Sequence, residues 1–323
     1  MIKRIFLSIV TASLLISCGD NDGKRILSQS VGNINNVKVI VTKAQWQGAI
    51  GDALRDVLAD PVYGLPREEP KFSIDQIPPE AFSDFLLKNR IYLQIKPADS
   101  ASLTIVKDKY ARPQTGVIVT GSSHTQIANL IIDNEERIVT AFKEQELVAN
   151  QSRIKKALKK TDSLQKVFGV KLNFPNAYRY AEQKSDFFWM RKELKRSGNM
   201  NITVYEVPLQ AIDKDTLTIK NIIRMRDSIG GKKIPVDDGR FITERAFSPY
   251  LQETEIDGKL AYETKGTWEV DGRYMAGPFV NYAVRDEKNG RYLILEGFIF
   301  SPSQDQRDNM FELESILKSA RLR

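Results

Sequence analysis

From Ser123 to Thr161 the chain contains neither proline nor glycine, while Ile127, Ile131, Ile138 and Phe142 recur near helical spacing. That combination predicts a long helix, reaching on the order of 50 to 60 Å if unbroken. The regions on either side read as short β runs with few helices. The helix over 123–162 therefore divides an N-terminal region, 36–122, from a C-terminal one, 163–323. Runs of strands interrupted by few helices predict an α+β fold, with two mainly antiparallel-sheet halves separated by the long helix.

In the first half, "NVKVIVT" (Asn36 to Thr42) reads as a strand and "QGAIGDALRDVLAD" (Gln47 to Asp60) as an amphipathic helix, ended by Asp60-Pro61 because a residue before proline avoids the α region. A proline-marked loop, "GLPREEPKF", follows, then a short helix near Pro79 to Leu87 and β runs around Ile91 to Lys96, Leu103 to Tyr110 and Val117 to Thr120. The second half reads as a strand, a proline turn and antiparallel strands up to Leu209, a helix near Asp215 to Ser228, four further β runs and a closing amphipathic helix. An extended "FP…Y" opening, central helix, string of strands and final helix ending "SARL" are similar in layout to the Mog1/PsbP-like fold. Layout alone carries no function.

At the N-terminus, Lys3 and Arg4 precede an uncharged apolar run, Ile5 to Ile16, too short for a bilayer-spanning helix. It ends Leu15-Ile16-Ser17-Cys18, which resembles the bacterial lipobox. The resemblance implies a signal peptide over 1–17 and a lipid-modified Cys18, with diacylglyceryl and acyl chains such as palmitate supplying the anchor. Two or three chains suffice where one holds only marginally. Cys18 is the only cysteine, so a lipidated chain has no thiol left for disulfides, thiolate metal sites or a cysteine nucleophile. Residues 18–35, polar and glycine-rich after the cysteine, read as a flexible tether. Asp20 and Asp22 also resemble an acidic surface-export signal, and a plain linker is the equal alternative.

The net charge is +7, and losing Lys3 and Arg4 leaves 46 bases against 41 acids, or +5. The clusters "RIKKALKK" (Arg153 to Lys160) and "RKELKR" (Arg191 to Arg196) suit phosphate or anionic lipid in principle and a solvated face more simply. Nucleic acid is not an expected partner for an exported lipoprotein. "QWQGAIGDALRD", "GLPREEPKF", "FFWMRKE", "GTWEVDGRYMAGPFVNY" and "EGFIFSPSQDQRDNM" resemble the signature blocks of a Bacteroidetes lipoprotein group, domain-of-unknown-function family 4837. That resemblance implies a cell-envelope, outer-membrane address and transfers no activity and no site residue.

Few residues carry chemistry. His124 is the only histidine and sits at a helix start, which excludes a His-rich metal site and leaves a Ser-His-Asp triad only if His124 serves it. There is no nucleophile elbow and no phosphate-binding P-loop, and no cofactor is expected. Glu68, Glu69, Glu263, Glu269 and Glu296 are the acids available to a carboxylate-dependent hydrolase of envelope glycans, without a spacing that singles out a pair. In an extended "FFWMR", Phe187, Trp189 and Arg191 share one side, and Phe188, facing the other way, implies that both sheet faces are covered. Trp189 and Arg191, with Trp268 and Arg273 of "GTWEVDGRYMAGPF", are the candidate ligand-binding residues, set against the alternative that the aromatics build a core. Asp99, Asp162, Asp215 and Asp227, each followed by Ser or Thr and then an Ala or aliphatic residue, resemble O-glycosylation acceptors or, equally, helix caps. The expectation is a membrane-anchored envelope lipoprotein that binds or scaffolds an envelope protein or glycan, with the hydrolase as the alternative.

Overall fold

The computed structural model describes residues 26–302 and 304–323. Cys18 and the expected signal peptide lie outside them. The fold is α+β, with a long helix between two sheet regions.

The N-terminal sheet is built from β1 (Asn36–Ile40), β2 (Ser73–Ile77), β3 (Ile91–Pro97), β4 (Ser102–Lys107) and β5 (Thr115–Gly121), in the order β2-β1-β3-β5-β4. Here the antiparallel expectation is corrected. β1 runs parallel to β2 and β3, β3 runs parallel to β5, and β4 alone pairs antiparallel. Helix α1 (Ala49–Leu58) makes the crossover between β1 and β2, a connection that parallel neighbours require. Its Ile50, Ala53, Leu54, Val57 and Leu58 form one apolar stripe, buried against Val37 and Val39 of β1. Helix α2 (His124–Asp133) joins the same face through Ile127 and Ile131.

The predicted single helix over 123–162 is broken. α2 ends at Asp133 and α3 occupies Glu135–Ile154, about 30 Å long at 1.5 Å per residue. At the break, the Asn134 side chain donates to the Leu130 carbonyl (2.9 Å), taking the acceptor its own amide would use, and that amide turns to Ile131 (3.3 Å). Asparagine competes with the helix in this way without any proline or glycine to announce it.

The C-terminal sheet comprises β6 (Arg179–Gln183), β7 (Phe188–Glu193), β8 (Asn199–Pro208), β9 (Phe241–Thr243), β10 (Tyr250–Ile256), β11 (Lys259–Val270), β12 (Ala276–Asp286) and β13 (Arg291–Phe300). Its order is β9-β11-β12-β13-β8-β7-β6, with β10 also on β11, and every pairing is antiparallel. α4 (Asp162–Phe168) and α6 (Arg307–Leu317) cover one face, where Leu164, Phe168, Leu313 and Ile316 meet Met190, Ile202, Val280 and Leu295. α5 (Thr218–Lys233) covers the other, placing Ile222 and Met225 over Tyr205, Phe279 and Ile294. Phe188 lies edge-on to Phe168 (5.3 Å) on the first face, and Phe187 stacks on Tyr205 (5.9 Å) on the second. Among the described residues no helix is long and apolar enough to cross a membrane.

Candidate functional site

The loop between Pro61 and Pro70 is closed on itself by a β-bridge between those prolines and by Val62 N–H donating to Glu69 O (2.9 Å). It belongs to the N-terminal region yet lies on the C-terminal one. Gly64 has φ +81° and sits so close to β11 that a Cβ would come within 2.9 Å of the Gly266 nitrogen, so both its conformation and its space favour glycine. Tyr63 stacks on Tyr250 of β10 at 4.4 Å. The Glu69 carboxylate accepts from the Gln306 and Arg307 amides (2.7 and 2.9 Å), capping α6 from a distant part of the sequence. Arg67 donates to Pro302 O (2.7 Å), and Arg307 returns a bond to Pro70 O (3.0 Å).

Beneath this loop is a cleft of about 540 Å³, walled by α3, α6 and the β10–β11 hairpin, with the stacked tyrosines beside it. Its floor is charged. Glu263 of β11 is buried and accepts from the Tyr282 hydroxyl (2.5 Å) and Gln252 Nε2 (2.7 Å), with Lys265 at 3.2 Å and Lys318 at 3.4 Å. Burial alone would raise its carboxyl, but the two lysines and the hydroxyl outweigh it and hold the pKa down to about 2. Lys265 bridges Glu263 and Glu314 (2.9 Å), and the attraction of both carboxylates raises its pKa against the opposing effect of burial. Lys71 pairs with Asp60 (2.6 Å) and Glu135 (3.3 Å), and Arg307 with Asp308 (2.9 Å).

Lys143 of α3 differs. Its Nζ donates to Asn35 Oδ1 and to Lys71 O, both at 3.0 Å, and lies 4.5 Å from the Phe72 ring centre and 5.1 Å from that of Phe311. No carboxylate is within ion-pair distance of it among the described residues. Burial lowers its pKa to about 8, against the opposing pull of Glu314. The neighbours that hold it are fixed by a buried network. Arg90 forks onto both oxygens of Glu146 (2.9 and 3.1 Å), Asn35 N–H donates to Glu146 (3.2 Å), and Asn35 Nδ2 donates to Asp308 (2.9 Å). Asn35 has φ +52°, a left-handed conformation that asparagine tolerates better than most residues.

The residues singled out from the sequence fall elsewhere. Trp268 is core: its Nε1 donates to Ile299 O (3.0 Å), and its ring stacks on Phe241 at 5.0 Å. Trp189 is half-buried, donating to Asn201 (2.9 Å), and Arg191 pairs with Glu193 (2.9 Å) on the same strand. β7 and β11 are separated by β8, β13 and β12, roughly 19 Å at strand spacing, so the structure does not gather Trp189 and Trp268 into one site. Arg273 is exposed in the turn after β11, paired with Asp238, beside a fully exposed Tyr274.

Glu296 accepts from Arg226 (3.0 Å) and Asn281 (2.8 Å) on the α5 face, opposite to Glu263, so these two carboxylates do not share a site. Glu68 is exposed, and Glu269 is half-buried on β11. His124 is exposed at the start of α2, whose cap is Ser123, accepting from Gln126 N–H (3.2 Å). Asp215 accepts from Leu217 N–H (2.8 Å), a local bond of the capping and turn type, and Asp227 of α5 accepts from Thr243 N–H of β9 (2.7 Å), which ties helix to strand. Among the described residues no His, Cys, Asp and Glu cluster suits a metal ion. Sequence reasoning passed over Lys143, Lys265 and Glu314. They come from three distant segments, and the one local signal was a run of polar residues on the buried side of α3: Gln145, Glu146 and Asn150.

No curated protein matches this chain. Among solved structures, one from Bacteroides thetaiotaomicron VPI-5482 is 12% identical, with 48% of this chain and 45% of that chain covered at a TM-score of 0.28. The chain thus spans less than half the length of that relative. The Saccharomyces cerevisiae Ran-binding protein Mog1p is 8% identical, with 48% of this chain and 90% of that chain covered at a TM-score of 0.31. Residues 30–155 match a family described as domain of unknown function DUF8532. Residues 157–319, about half of the chain, match the family described as domain of unknown function DUF4837, and the protein belongs to that family.

Proposed function

We propose that the protein is a non-enzymatic envelope lipoprotein, anchored through lipid on Cys18 at the outer membrane, that holds a small ligand in the cleft between its two sheet regions. The observation that carries the binding reading is the unbalanced Lys143 in a cleft where the neighbouring Lys71, Lys265 and Arg307 each meet a carboxylate. A binder needs a preformed concave wall with a few convergent polar groups, and the cleft supplies both. Chemistry by two carboxylates needs one that keeps its proton, whereas the two on the cleft floor, Glu263 and Glu314, both pair with Lys265, which favours their charged forms. The anchor is supported by the basic, apolar, Leu-Ile-Ser-Cys start of the sequence.

The test has two arms. Protein isolated from its own membranes is extracted with organic solvent, and the extract is compared by mass spectrometry with that from a Leu147→Trp variant that fills the cleft. A molecule recovered at near one equivalent from the parent and absent from the variant supports binding; equal recovery or none refutes it. Labelled palmitate incorporated by the parent and lost in Cys18→Ser supports the anchor, and label retained in that variant refutes it.

A further inference from the structure

We propose that the ligand of this cleft is an amphiphile with a single anionic head group, a carboxylate on an apolar body, and that the head group completes the hydrogen bonding of Lys143. The proposal rests on the binding reading above and specifies its chemistry.

An ammonium group has three N–H donors. Two of those on Lys143 are spent on neutral oxygens, Asn35 Oδ1 and Lys71 O, leaving one donor and a full positive charge without a counter-ion among the described residues. The faces of Phe72 and Phe311 offset part of its lost hydration, as rings do for cations, but they satisfy no N–H. The other cations at the cleft are already matched: Lys71 by Asp60 and Glu135, Lys265 by Glu263 and Glu314, Lys318 by Glu263, and Arg307 by Asp308. Lys143 is then the one of these cations with no carboxylate in contact, and a single negative group would pair it. A dianion would leave a buried excess negative charge beside Glu263 and Glu314, which is costly at low dielectric. A cation would meet Lys143 unpaired. Glu144, the next residue on α3, is exposed at the rim, where water screens it.

The rest of the cleft suits hydrocarbon. Val139, Leu147, Leu251 and Met310 line it, and the Tyr63–Tyr250 stack adds ring faces with hydroxyl groups at their ends. At about 540 Å³ it lies in the usual range for small-molecule sites. A molecule bearing one carboxylate and a short apolar body meets both conditions at once.

Isothermal titration of the full chain with octanoate, 1-octanol and inorganic phosphate tests the assignment. Octanoate is expected to bind one to one and at least tenfold more tightly than either comparator. Lys143→Met, which keeps the stem and removes the charge, is expected to lower octanoate affinity tenfold or more and to leave octanol unchanged. Wild-type protein needs no variant to give a second readout. Facing Lys143 are Glu314 and Arg307 from α6, Lys265 from β11, Glu146 from α3 and Lys71 just after the loop. With Lys143 titrating at about 8, octanoate affinity is expected to fall about tenfold between pH 7 and pH 9. Equal binding of octanol and octanoate, equal binding of phosphate, a flat pH profile, or no octanoate binding at millimolar concentration overturns the proposal. A neutral molecule recovered in the membrane extraction would also overturn it while leaving the binding reading intact.

Discussion

Replacing Glu263 with glutamine removes one charge and turns one of its two acceptor oxygens into a donor. The Tyr282 hydroxyl and Gln252 bond to different oxygens of Glu263, so the amide can accept from only one of them, while Lys265 retains Glu314. What is lost is the stabilisation that draws the carboxyl pKa from an ordinary glutamate value of about 4.3 down to about 2. At 1.36 kcal/mol per unit, that difference is worth on the order of 3 kcal/mol at neutral pH. Because the folded carboxyl titrates below the unfolded one, the contribution is complete above about pH 5 and fades as pH falls toward 2. Glu263→Gln is therefore expected to be about 3 kcal/mol less stable than the parent at pH 7, with roughly half that gap remaining at pH 3. Urea unfolding followed by the fluorescence of Trp268 and Trp189, repeated across that range, measures it. A gap under about 1 kcal/mol at pH 7, or one that stays constant down to pH 3, would refute the reasoning.

Glu69→Ala should destabilise the protein by about 1.5 to 3 kcal/mol, since two amide donors lose a charged acceptor, whereas Glu68→Ala should be silent in the same denaturation assay. Trp268→Ala should cost about 3 to 5 kcal/mol through the cavity it leaves beside Phe241 and Phe298, and Tyr274→Ala, fully exposed, less than about 0.5. Arg226→Met should cost about 3 to 5 kcal/mol by leaving Glu296 buried without its partner; a loss below about 1 would show that the pair is replaceable by packing alone.

The C-terminal fold was legible because both of its signals are local. Phe187 and Phe188 on consecutive positions announced a sheet covered twice, and β12 and β13 read as almost unbroken apolar runs for the same reason. The N-terminal sheet misled. Parallel sheets usually carry helices on both faces and lose their alternation. This one has α1, α2 and α3 on a single face, so β1 keeps Val37 and Val39 inward and Lys38 outward, an alternation that resembles an antiparallel strand. The cleft left almost no trace. Tyr63, Lys143, Glu263 and Arg307 are scattered along the chain, and no spacing connects them. The carboxylates named from sequence turned out to include a helix cap, Glu69, and two buried ion-pair partners, Glu263 and Glu296, on opposite sheet faces. Burial, which sequence does not supply, separates those roles from catalysis.

The Pro61–Pro70 loop belongs to one family segment and caps the final helix of the other, across 237 positions of sequence. Prising it away would in one motion bare the first amides of that helix, part Tyr63 from Tyr250 and unroof the cleft. Opening the cleft and loosening the grip between the two halves would therefore be a single event.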